Sequence, residues 1–223
     1  MRSLAFAIGL AAWTVAATPA PSQEAPAASD LLFETQDWRS APPDASLLYR
    51  YERVSSLPSE RVQGLSDTIR LLLSPGSSAD IRNVQVEMFS GAQRRPAGPF
   101  DDVAGNPVLV LFLEQHLKTL VSAVGANPGY LKNAIRAGLR DSASVTPITT
   151  AYEDQQVPAW KIATRPFLQD PHRAQMMGLD TLTYSFVVSD YVPGRVHSID
   201  VRADAANGRK LFQETLSYVP SGS

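Results

Sequence analysis

Apolar residues in this chain change their period twice, and that change sets what the chain can fold into. They recur with period two from Leu47 to Phe89, with helical spacing from Val108 to Leu139, and with period two again from Ile148 to Val219. Period two gives a sheet one apolar and one polar face, whereas helical spacing gathers apolar residues along a stripe. Leu47, Tyr49 and Tyr51 share one face of the first strand while Arg50 and Glu52 share the other. Ile69, Leu71 and Leu73 oppose Thr68 and Arg70, and Val84, Val86 and Met88 oppose Asn83, Gln85 and Glu87. Between these two runs, Ser74-Pro75-Gly76-Ser77 supplies a turn, with Pro presetting φ and Gly free to make it positive. Three such strands joined by turns predict an antiparallel meander.

Two helices interrupt the strands. Asn106 before Pro107, and Asn127 before Pro128, each place a capping side chain next to a residue whose missing N–H costs nothing at a helix start. Gly125 closes the first helix. Its opening run, Val108 to Leu113, is apolar all round, so the helix must be covered. The second helix sets Leu131, Ile135 and Leu139 on one side and Lys132, Arg136 and Arg140 at four-residue spacing on another, which predicts a surface helix with a basic stripe.

Strand patterns then resume at Ile148–Tyr152, Ala159–Thr164, Thr181–Ser189, Val196–Ala203 and Arg209–Val219, where Asn207-Gly208 is a hairpin turn signal. The expected fold class is α+β: a curved, mostly antiparallel sheet of about eight strands, half-barrel-like, with two helices inserted between two meanders. One domain over residues 45–223 suffices for a chain of 223 residues with 44% hydrophobic content.

The N-terminus carries an address. Met1-Arg2-Ser3 puts one positive charge before an apolar run, Leu4 to Ala17, that ends in small residues. That is the pattern of a secretory signal peptide over residues 1–22, with cleavage after Ala17 or Ser22. The run is shorter than the ~20 apolar residues that span a bilayer, so no transmembrane segment is expected. The protein should therefore be periplasmic or secreted. Residues 23–44 read as a disordered or irregular leader, because Ala, Pro, Ser and Gln cannot bury enough apolar surface to offset chain entropy. The chain contains no cysteine, so burial alone must hold an exported protein together, and thiol chemistry is excluded. Its formal charge of −2 lacks the basic field that nucleic acid requires.

In compartment, size and element content the chain resembles the periplasmic LolA/LolB/RseB-like half-barrel proteins. The resemblance is one of organisation over about residues 45–219 and rests on no matched motif. The helices here follow three strands, where one helix would be expected before the sheet. The resemblance implies helices laid on the concave face of the sheet and a hydrophobic ligand or lipidated partner between them.

No nucleophile elbow, zinc-protease helix, phosphate loop or calcium loop occurs, so no cofactor, metal or catalytic residue is assigned. His116 lies on the apolar side of the first helix and reads as a hydrogen-bonded core histidine. His172 after Asp170 is a weak metal or acid–base pair, and His197, in phase with Ile199 and Val201, reads as a strand residue beside the core. Asp101 and Asp102 suit the approach to a helix N-terminus. The positive features are surfaces. Val110, Phe112 and Leu113 are the candidates to line a hydrophobic ligand cavity with Tyr49, Tyr51, Trp160 and Met177. Arg94, Arg95, Lys132, Arg136 and Arg140 are candidates to contact an anionic headgroup or a protein partner.

Three function classes follow. The favoured one is a non-catalytic envelope protein that binds or carries a hydrophobic small molecule or lipidated protein. The second is an envelope assembly factor with a solid core, and the third a hydrolase built on Asp170 and His172 or on the carboxylates.

Overall fold

A computed structural model describes residues 25–57 and 62–220. The signal segment read over residues 1–22 lies outside them. Strands β1 (Ser46–Ser55), β2 (Leu65–Pro75), β3 (Arg82–Met88) and β4 (Phe100–Val103) form the first meander. The second comprises β5 (Ser144–Tyr152), β6 (Gln155–Thr164), β7 (Thr183–Val188), β8 (Val196–Asp204) and β9 (Lys210–Val219). β9 pairs antiparallel with β1, with Tyr49 opposite Tyr218 and Tyr51 opposite Leu216. The two meanders thus fuse into one nine-stranded sheet of order β4-β3-β2-β1-β9-β8-β7-β6-β5, open at β4 and β5. A short helix, α1 (Ala28–Phe33), precedes it, and two main helices, α2 (Val108–Val124) and α3 (Pro128–Asp141), stand between the meanders.

The ninth strand is β4, which four residues are too few to announce by alternation. Asp101 and Asp102 therefore lie on a sheet edge. Asp102 accepts the Ser77 N–H at 2.8 Å and donates its own N–H to Asn83 Oδ1 at 2.9 Å. Exposed charge on an outermost strand discourages pairing with another chain.

The sheet is strongly curved. β5 and β9 are separated by three strands, which in a flat sheet would hold them ~19 Å apart at the usual interstrand spacing. Yet the rings of Tyr152 on β5 and Tyr218 on β9 lie 6.2 Å apart, and His197 Nε2 on β8 is 3.0 Å from the Ala151 carbonyl. Tyr218 also meets the buried Tyr49 at 5.5 Å, so the sheet curls toward the face that carries Tyr49 and Tyr51. That concave face is the one α2 covers.

The expectation of an irregular leader over residues 23–44 gives way at Ala28. Ala28, Leu31 and Leu32 bury one side of α1, Trp38 Nε1 donates to the Val103 carbonyl at 2.8 Å, and Ser40 Oγ donates to the Val192 carbonyl at 2.9 Å. Six helical residues hold too few turns to show a period, and the helix exists because the folded domain supplies its apolar partner.

The cap signals act as their chemistry requires. Asn106 Oδ1 accepts the Val108 N–H at 3.0 Å, Asn127 Oδ1 accepts the Gly129 N–H at 2.8 Å, and Gly125 ends α2 at φ 68°. Gly138 lets α3 approach the chain after β6. A Cβ there would lie 2.8 Å from Pro166 Cβ and 3.0 Å from Thr164 Oγ1. Gly138→Ala should gain about 1 kcal/mol of helix propensity and lose about 1–3 kcal/mol to overpacking against a rigid proline. We expect net destabilisation in urea unfolding, and a more stable variant would show that this contact yields freely.

Candidate functional site

The sheet side of α2 is filled by a polar network. His116, four residues after Phe112, and Glu214, in phase with Phe212 and Leu216 on β9, are both fully buried. One Glu214 oxygen meets His116 Nδ1. The other accepts the Tyr51 hydroxyl, accepts Thr119 Oγ1 at 3.0 Å and lies 3.5 Å from Arg53 Nη1. His116 Nε2 lies 2.8 Å from the Tyr184 hydroxyl, and Arg53 also donates to Thr119 Oγ1 at 3.0 Å. Burial alone would push the Glu214 carboxyl up, but His116, Tyr51 and Arg53 together hold it below the usual glutamate range. The carboxylate, the imidazole and the hydroxyls of Tyr51, Thr119 and Tyr184 are all hydrogen-bonded, and together they anchor α2 to the sheet. Sequence reasoning missed Glu214 and Arg53. The signal was present, because alternation puts Glu214 between Phe212 and Leu216, and Arg53 in phase with Tyr49 and Tyr51.

The proposed cavity lining divides in two. Tyr49, Tyr51 and Phe112 belong to the packed core, with Tyr51 and Phe112 rings 6.2 Å apart and Tyr49 accepting a hydrogen bond from Asn106 Nδ2 at 2.9 Å. Trp160 is partly buried against that core. Met177 is exposed on the β6–β7 connection and takes no part. The run Val108–Leu113 is not covered on every side: Val108 and Phe112 are fully buried, Leu113 is half-buried, and Val110 is 45% exposed.

Val110 and Leu113 open instead onto the outer side of the helix pair. There they line a groove of about 500 Å³ with Leu117 of α2 and with Ile135 and Leu139 of α3. Phe33 of α1, 47% exposed, walls it from a third side. Lys132, Arg136 and Arg140 edge the groove along α3, while Glu34, just after α1, and Glu114 of α2 edge it from the other sides. The structure thus gathers two of the apolar candidates and three of the basic ones at one site. Arg94 and Arg95 are exposed on the β3–β4 connection and are not among its lining residues.

The other candidates are held structurally. Asp170 accepts the Tyr130 hydroxyl at 2.7 Å and the His172 N–H at 2.7 Å, an arrangement that ties the start of α3 to the loop after β6. A polar depression beside Arg39 and Asp190 contains Arg195, whose guanidinium is already shared between Asp190 at 2.6 Å and Asp37 at 3.3 Å. Among the described residues no three histidine or acidic side chains cluster as a metal site would require, and no helix is long and apolar enough to cross a membrane. No protein-family model matches the chain, and no curated protein matches it.

Proposed function

We propose that the protein is exported to the cell envelope and there binds or carries a hydrophobic ligand, a small molecule or the lipid of a modified partner, without catalysing a reaction. The observation that carries this reading is the α1–α2–α3 groove, where Phe33 and Val110 stay exposed beside half-buried Leu113 and Leu117. Large side chains of this kind, contiguous and recessed at about 500 Å³, match the size and lining of small-ligand sites. The filled concave face moves the ligand from beneath the helices to their outer side. That same solid core favours a second reading, an assembly factor whose partner protein lays an apolar segment in the groove.

Native mass spectrometry of protein purified from the envelope fraction tests the proposal. A mature mass lacking residues 1–17 or 1–22 and a lipid-sized adduct are expected. Val110→Trp fills the groove at a half-exposed position, so it should remove the adduct and change stability by no more than about 0.5 kcal/mol. A protein that carries no adduct and takes up no N-phenyl-1-naphthylamine would end the carrier reading and leave the assembly factor.

A further inference from the structure

Resting on the groove as the binding site, we propose that its ligand is a free single-chain amphiphile with an anionic head, seated between Lys132 and Arg136. On α3, Ile135 and Leu139 form part of the apolar wall, and the cations follow one residue after the buried positions Leu131, Ile135 and Leu139. The head therefore meets charge at the upper margin of the surface that receives the tail.

The three cations are not equivalent. Arg140 is held by Asp141, with Nε 2.7 Å and Nη2 2.9 Å from the two carboxylate oxygens. Lys132 and Arg136 have no ion pair among the described residues, and the Cβ atoms of residues four apart on a helix stand about 5–6 Å from each other. From neighbouring Cβ atoms, a flexible ammonium and a guanidinium can close on one carboxylate or phosphate with charge-assisted hydrogen bonds. Glu34 and Glu114 come from two different elements and do not offer a cation the same paired grip.

The acids also separate a free amphiphile from a membrane. An anionic bilayer pressed against this face would meet Glu34 and Glu114 together with the cations, so attraction and repulsion would largely cancel. A single head can sit against α3 alone while its tail follows Leu117, Leu113 and Val110. The apolar floor is recessed between helices, which suits one chain, whereas insertion into a bilayer requires apolar residues that project.

Displacement of N-phenyl-1-naphthylamine by myristate, tetradecanol and tetradecyltrimethylammonium, all below micelle-forming concentrations, tests the head-group class at constant tail length. Myristate should displace the probe at about tenfold lower concentration than either analogue, and added salt should narrow the gap. Lys132→Glu with Arg136→Glu should abolish the preference for myristate over tetradecanol. Lys132→Gln with Arg136→Gln, which adds no repulsion, should remove most of it; unfolding midpoints confirm that both variants fold. If the three amphiphiles displace equally, or the cationic one displaces best, the head-group assignment is overturned while the groove stands. Binding to phosphatidylglycerol vesicles without binding to myristate overturns the free amphiphile in favour of a membrane. If the probe itself does not bind, the groove reading fails with it.

Discussion

Glu214→Ala should lower stability by about 3–5 kcal/mol, the usual cost of removing one member of a buried, hydrogen-bonded charge pair. For a domain of this size that is roughly 6–20 °C in Tm. The loss is large because four groups lose this acceptor at once: His116 Nδ1, the Tyr51 hydroxyl, Thr119 Oγ1 and the Arg53 guanidinium all converge on this carboxylate, and of these Thr119 and Arg53 keep other partners. Alanine replaces none of those partners. Urea unfolding followed by tryptophan fluorescence measures it, since Trp38 is buried. A loss under about 1 kcal/mol would show that the stranded groups find new partners.

The same carboxylate has a pH signature. Its folded pKa is depressed, so its contribution is present above the unfolded glutamate value of about 4.3 and is lost as pH falls toward the folded value. Asp37 acts with the opposite sign. Burial pushes its carboxyl up despite the Asn106 N–H, Thr35 and Arg195, so its contribution is greatest below the usual aspartate range and declines as pH rises through it. Glu214→Gln, which keeps the shape and drops the charge, should therefore flatten the acid decline in stability. An unchanged acid limb would assign that decline to other carboxylates.

Phe112→Ala should cost about 3–5 kcal/mol, through lost burial and the cavity left between α2 and the sheet. Phe112 is fully buried, stacks on His116 with ring centroids 6.2 Å apart at 4°, and meets Tyr51 at 6.2 Å. Its alanine variant removes an aromatic from the core and unseats the histidine that pairs with Glu214. Leu113→Ala, one residue on, should cost visibly less because Leu113 opens onto the groove. Equal losses at the two positions in parallel urea titrations would mean that the groove closes in solution and Leu113 is core.

That pair of neighbours marks how far the chain is legible as a string of residues. The period of Val108–Val124, the Asn-Pro starts and Gly125 were enough to place α2, and the alternation in eight of nine strands was enough to place the sheet. Within the apolar run, however, Val110, Phe112 and Leu113 look alike, and only the positions of the sheet, α1 and α3 rank them. Lys132, Arg136 and Arg140 read correctly as an exposed stripe, yet their neighbourhood with Val110 and Leu113 depends on α3 folding back along α2.

Local order, the alternation of strands and helices and the location of apolar faces were determined by the sequence, because period, caps and turns act over a few residues. Which polar residue on an apolar face finds which partner was decided only by the tertiary structure. Glu214 meets Tyr51 across 163 residues and His116 across 98, and no local pattern encodes such meetings. The groove arises the same way. A six-residue helix too short to show a period is stabilised by the domain it packs on, and its Phe33 completes a wall that α2 and α3 leave open.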